Sequence, residues 1–243
     1  MHQTENISVT RGDTNTVKLA MQNGLAAELS DLAKSKEPVL LLLSGGSALA
    51  VLQETELPGL NPLVTFGVLD ERFSIDPASN NFQQLKQTRF YSSALAHGCS
   101  SIDTSVLEGE SQESLRDRFE KLLMAWRRAN PIGKIIITQG IGVDGHTSGV
   151  LPQPDNSSVF KGLFLEPELW VASYRSESQN PYPLRVTTTL SFLQQVDNSF
   201  LYVSGEEKRA ALAATLAKKG SLSETPARII QIMSKVNIFT DLV

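Results

Sequence analysis

The chain has 243 residues, 41% of them apolar and 20% charged, with a net charge of −4 at neutral pH. That length buries a sizeable core, most simply as one α/β domain over residues 1–243, and the scattered basic residues argue against nucleic acid as a partner. The single cysteine, Cys99, excludes an intrachain disulfide. The polar start MHQTENISVTRGDT lacks the apolar centre of a signal peptide, and no window approaches the roughly 18 apolar residues of a membrane span. A cytoplasmic protein without membrane contact is expected.

Strand-length apolar runs alternate with segments of helical period. From Thr16 to Lys34, Val17, Met21, Leu25, Leu29 and Leu32 recur every three or four residues, which predicts an amphipathic helix stopped before Pro38. Val39 to Leu43 is continuously apolar, the pattern of a strand buried on both faces. A helix over Ser47 to Glu54 follows, then a strand over Leu63 to Leu69 that ends at Asp70. Ser111 to Arg128 reads as a second long helix with Leu115, Phe119, Leu122, Leu123 and Trp126 on one stripe, and Ser111 and Ser114 compete for its N-cap. Further strands are predicted at Lys134 to Thr138, Leu169 to Tyr174, Phe200 to Ser204 and Val236 to Phe239, with a helix over Glu206 to Lys219. Residues 75–100 and 152–168 are the least regular. This alternation predicts an open, mostly parallel sheet with helices on both faces, in which ligands bind beyond the carboxyl ends of the strands.

Four places at such ends carry unusual residues. Ser44-Gly45-Gly46-Ser47 follows the first buried strand; its glycines allow close backbone approach and its hydroxyls and helix-start N–H groups suit a phosphate, but a tight turn with a serine N-cap reads equally well. The P-loop lysine is absent. Asp70-Glu71-Arg72 closes the second strand and is either a solvated rim or a site where Arg72 meets an anion while an acid holds it. Gly140-Ile141-Gly142-Val143-Asp144-Gly145-His146-Thr147 has too many glycines to be built for packing, and it presents a carboxylate and an imidazole two residues apart. An imidazole serves as a general base near neutral pH. Finally, Arg185-Val186-Thr187 opens a helical segment after Asn180-Pro181-Tyr182-Pro183, and Lys208 lies in the first turn of the helix after Gly205. Basic residues at helix starts oppose the dipole, which either a bound anion or full solvation would relieve.

Other chemistries find no support. His2, His97 and His146 show no metal-ligand spacing and no cysteine pair exists for zinc. There is no G-x-S-x-G elbow, and no G-x-G-x-x-G opens a helix after the first strand.

Taken together, Ser44-Gly45-Gly46-Ser47, Asp70-Glu71-Arg72, Ser79-Asn80, the Gly140–Thr147 segment, Arg185-Val186-Thr187 and Gly205-x-x-Lys208 resemble the 6-phosphogluconolactonases in order and spacing, from about residue 15 to the C-terminus. That group is related to the glucosamine-6-phosphate deaminases. The resemblance implies a Rossmann-like, sugar-phosphate-isomerase-like fold, a sugar-phosphate lactone as substrate and no cofactor or metal, in a monomer or homodimer. It implies that the Ser44–Ser47 loop, Arg185 and Lys208 cradle the 6-phosphate and that Asp70 also binds substrate. His146 is similar to the base that activates water, with Asp144 beside it, and Arg72 to the residue that contacts the lactone or steadies charge at the reacting carbonyl. Two departures from the deaminases stand out: Leu151 precedes Pro152 where they carry a glutamate, and Arg72 replaces their Tyr or Phe. Departures from the lactonases are Ala48-Leu49 for Thr-Pro, Ser148-Gly149 for Ala-Ser, Phe73-Ser74-Ile75 for Trp-Val-Pro, and Gln139 for an apolar residue. The competing readings are a deaminase, told apart by ammonia release, and a non-catalytic sugar-phosphate sensor, which has no need of Asp144 or His146.

Overall fold

The computed structural model describes residues 6–176 and 182–242; His2, Asn180 and Pro181 lie outside them. The first half of the chain forms β1 (Ile7–Arg11), α1 (Thr14–Ser35), β2 (Val39–Leu43), α2 (Gly46–Leu52), β3 (Val64–Val68), β4 (Asp70–Arg72), α3 (Asn81–Lys86), α4 (Arg89–Ala96) and β5 (Ser100–Ser101). The second half forms α5 (Gln112–Ala129), β6 (Lys134–Gly140), α6 (Ser157–Phe164), β7 (Val171–Arg175), β8 (Leu184–Thr188), α7 (Leu190–Leu193), β9 (Asn198–Val203), α8 (Arg209–Leu216) and β10 (Val236–Thr240).

Seven strands make a wholly parallel sheet in the order β1-β10-β9-β6-β2-β3-β5. Pleating sends alternate side chains to opposite faces. Leu40 and Leu42 of β2, Ile135 and Ile137 of β6, and Leu201 and Val203 of β9 enter one core with Leu115, Phe119, Leu123 and Trp126 of α5. Val39, Leu41 and Leu43, with Phe66 and Ile136, enter the other with Val17, Met21, Leu25 and Leu29 of α1. The continuous apolar runs are thus strands covered on both sides. Asp13 caps α1 by accepting the N–H groups of Asn15 and Thr16, and Lys36 ends it in the left-handed region at φ 56. Ser111 wins the cap of α5, accepting from the Ser114 N–H; Leu122 falls off the buried stripe and is exposed. Phe119 is fully buried, so Phe119→Ala is expected to cost about 3–5 kcal/mol, read as a lower midpoint in urea unfolding.

The largest departure from the sequence reading is a second, antiparallel sheet, β4-β8-β7, which packs against α5 through β7 and β8. The strand expected at Leu169 to Tyr174 exists as β7 but belongs here. Asp70-Glu71-Arg72 is a strand of its own rather than the end of β3. Arg185-Val186-Thr187 is strand, not helix: the β-branched run Val186 to Thr189 is stiff at χ1 and fits a pleated surface better than a helix, and helix begins only at Leu190 after the Thr189 cap. The irregular stretches hold α3, α4 and α6, helices of six to eight residues that are too short to show a period. The helix expected from Glu206 starts as a tight 3-10 turn over Glu206–Lys208 and ends at Leu216. Among the described residues no helix is long and apolar enough to cross a membrane.

Candidate active site

β9, β6 and β2 are neighbours in the sheet, so the segments leaving their carboxyl ends meet at one edge. The Ser44 N–H donates to the Thr138 carbonyl and hydroxyl of β6, each at 3.2 Å. From the segment after β9, Lys208 Nζ donates to Ser47 Oγ at 3.2 Å. Burial pulls the Lys208 ammonium below its ordinary value, against the raising charges of Glu207 and Asp241. A cation and a hydroxyl therefore converge from two loops that are 161 residues apart in the chain.

The loop after β6 folds back on itself. The Gly142 N–H donates to the His146 carbonyl at 2.9 Å and the Gly145 N–H to the Gly142 carbonyl at 3.0 Å. This brings Asp144 Oδ1 to 2.6 Å from His146 Nδ1, and the same oxygen accepts the His146 N–H at 3.1 Å. The imidazole lies so close over Gly142 that a Cβ there would stand 2.1 Å from both Cε1 and Nδ1. Burial works to raise the Asp144 carboxyl, but the hydrogen bond and charge of His146 hold it below the ordinary carboxylate range. A carboxylate on Nδ1 fixes the tautomer that carries hydrogen there and leaves Nε2 as the acceptor.

The antiparallel sheet supports that loop from beneath. On one of its faces stand Asp70 and Arg72, opposite Thr187 and Arg185, with Tyr174 next to Arg185. The Thr187 hydroxyl donates to the Ser148 carbonyl, and the Tyr174 hydroxyl donates to the Gly149 carbonyl at 2.6 Å while accepting the Leu151 N–H. Burial pushes the Tyr174 phenol up, against the charge of Arg185, so it stays a donor. Gly149 has φ 73, and a Cβ on it would lie 2.5 Å from that of Asp70. Ser148, at φ 49, is held in the same left-handed region.

Arg72 and Arg185 are direct cross-strand partners, and Arg185 Nη1 is 3.6 Å from Asp70 Oδ2. Like charges side by side on a sheet are unfavourable, and the Asp70 carboxylate beside Arg185 offsets part of that cost. Asn81 joins it to the Ser44–Ser47 loop. Its amide donates to the Asp70 carbonyl and carboxylate at 2.9 and 3.3 Å and packs on Gly45, where a Cβ would meet its Oδ1 at 2.8 Å. Glu71 points the other way. It accepts from the N–H groups of Arg72, Asn81 and Phe82 and from the Thr104 hydroxyl, and burial pushes its carboxyl up to about 8 against three of those donors, Phe82, Asn81 and Thr104.

Of the residues picked out in the sequence, the fold joins Ser47 with Lys208, Asp144 with His146, and Asp70 with Arg185. Arg185 is linked to the Ser44–Ser47 loop through Asp70 and Asn81. Tyr174, Thr187, Asn81 and Gln139 support the site without having been assigned a role: nothing local marks a strand tyrosine as the prop of a loop 25 residues away. Gln139, fully buried, donates to Thr147 and Ser148 and accepts from Ser199. Beside the dyad opens a groove of about 860 Å3 lined by Asp144, Leu151, Gln153, Asn156, Tyr174 and Arg175. Among the described residues no three His, Cys, Asp or Glu side chains converge as metal ligands.

The profile of the glucosamine-6-phosphate isomerases/6-phosphogluconolactonase family matches residues 12–238. A human protein named 6-phosphogluconolactonase is 31% identical over 209 residues, 82% of this chain and 76% of that one. The 6-phosphogluconolactonase of Shewanella baltica superposes with a TM-score of 0.74 at 16% identity, covering 96% of this chain and 95% of its own. That of Plasmodium vivax gives 0.75 at 16% identity, with 99% and 92% covered. These two share the fold, and the profile match spans nearly all of the sequence. The chain belongs to the glucosamine-6-phosphate isomerase/6-phosphogluconolactonase family.

Proposed function

We propose that this protein is a 6-phosphogluconolactonase, which hydrolyses 6-phospho-D-glucono-1,5-lactone to 6-phosphogluconate in the oxidative pentose phosphate pathway. The observation that carries the reading is the Asp144–His146 pair at 2.6 Å, set at the same sheet edge as the Lys208–Ser47 contact. His146 Nε2 takes a proton from water as the water oxygen bonds to C1. Arg72 faces the oxyanion that forms, as preorganised donors do in other acyl transfers. The tetrahedral intermediate then breaks its bond from C1 to the ring oxygen, which leaves as a hydroxyl with the proton returned by His146. Asp144 holds the imidazole and offsets its transient charge. Ser44, Gly45, Gly46, Ser47 and Lys208 receive the phosphate, and Arg185, anchored on Asp70, adds positive potential from the adjacent sheet.

The deaminase reading lacks its acid here: Leu151 is apolar and packs on the core. The deciding experiment compares hydrolysis of freshly made 6-phosphogluconolactone with the spontaneous rate, alongside ammonia release from glucosamine 6-phosphate. Acceleration of the first without the second is expected; the reverse would sink the proposal. Because charge-assisted hydrogen bonds contribute roughly 1.5–3 kcal/mol, Lys208→Ala is expected to raise KM by about one to two orders of magnitude, with kcat far less affected. Equal use of unphosphorylated gluconolactone by the wild type would contradict this role.

A further inference from the structure

Arg72 is held in an unusual way. Its Nε is buried without a hydrogen-bond partner, and its guanidinium makes no hydrogen bond or ion pair with the described residues, although Asp70 stands on the same strand face two residues away. Asp70 is engaged instead by Arg185 at 3.6 Å and by Asn81. What Arg72 touches is the ring of Tyr182, whose centroid lies 4.2 Å from the guanidinium carbon. The carbonyl of the same tyrosine accepts from Arg185 Nε at 3.0 Å. One residue therefore grips both arginines of the cross-strand pair, by different means.

The difference has chemical content. A carboxylate holding Arg72 would occupy its donors and cancel its charge. A π face attracts the cation through its quadrupole and uses none of the N–H groups, which point outward from the edge of the guanidinium plane. Arg185, in contrast, has Nε committed to a carbonyl and Nη1 to Asp70. The two arginines are thereby sorted into one anchored to the protein and one whose donors stay open to a ligand.

We propose that Tyr182 is a positioning residue for the hydrolysis: its ring steers Arg72 off Asp70 and presents it, donors open, to the carbonyl oxygen of the substrate. The inference rests on the lactonase reading above. It is tested with Tyr182→Leu, which keeps bulk and removes the π face, and Tyr182→Phe, which keeps the face and removes the hydroxyl. Both are followed by lactone hydrolysis, with a thermal melt to confirm folding. Tyr182→Leu is expected to lower kcat by roughly three- to thirtyfold, the range a cation–π contact supplies, with KM nearly unchanged because Lys208 and the Ser44–Ser47 loop still hold the phosphate. Tyr182→Phe should stay within about twofold of wild type. A Tyr182→Leu variant as fast as wild type, one that raises KM alone, or a Tyr182→Phe variant as slow as Tyr182→Leu would each overturn the assignment and leave the lactonase reading standing. A wild type that opens the lactone no faster than buffer overturns both.

Discussion

His146→Ala is expected to lower kcat by about 10²–10⁴-fold, the usual worth of a general base, while KM for the phosphorylated lactone moves little. The imidazole is tied to Asp144 through Nδ1 and the phosphate contacts lie on other loops, so removing the ring subtracts proton transfer and leaves binding in place. Asp144, held below the ordinary carboxylate range by its partner, keeps its charge beside Nδ1 and is engaged there rather than at the attacking water. Assays belong at acid to neutral pH, where spontaneous opening of the lactone is slow. A correctly folded alanine variant with near wild-type kcat would move the base to Asp144 or Asp70.

A single methyl group at Gly142 is expected to do comparable damage. An added Cβ would stand 2.1 Å from two ring atoms of His146 and 2.7 Å from Asp144 Oδ1, well inside van der Waals contact. The imidazole has no way to keep both its place and its partner. Gly142→Ala should therefore lower kcat by at least about 10²-fold, the lower end of what losing a general base costs. The rest of the molecule is untouched, and Lys208 remains on Ser47, so product binding measured by calorimetry should persist. Retention of more than a tenth of the wild-type kcat would mean that the ring is not where the hydrolysis needs it.

These residues also show what a linear reading can and cannot reach. The parallel sheet was legible because strands covered on both sides must be continuously apolar, and Val39 to Leu43 and Lys134 to Thr138 could be little else. The His146 loop was legible because three glycines in six residues at a strand end mark a tight fold around a carboxylate and an imidazole. The antiparallel sheet was legible only in β7: β4 has three residues, all charged, and β8 carries Arg185 directly after a proline-rich stretch, so neither period nor hydrophobicity marks those two. With that sheet the sequence also concealed the cross-strand pairing of Arg72 with Arg185, the support from Tyr174 and Thr187, and the grip of Tyr182. Each of these contacts joins segments brought together by tertiary structure alone. Arg185 stands out by its motif but reads as the start of a helix, because a lone basic residue after prolines looks the same in a helix and in a strand such as β8.

The edge strand β1 has a history written into its connectivity. It joins the sheet only through β10, and the contact of Ser8 with Asn237 spans 229 residues. Closing a loop of that length gives up chain entropy before any pairing rewards it. During synthesis Ile7–Arg11 is made before Val236–Thr240 and stays without this neighbour until that strand exists. Its outward side chains Ser8, Thr10 and Arg11 are polar, the kind of composition that keeps an unpaired strand from recruiting the edge of another chain. This edge of the sheet is thus sealed by a strand made long before its neighbour, and its sequence is suited to waiting.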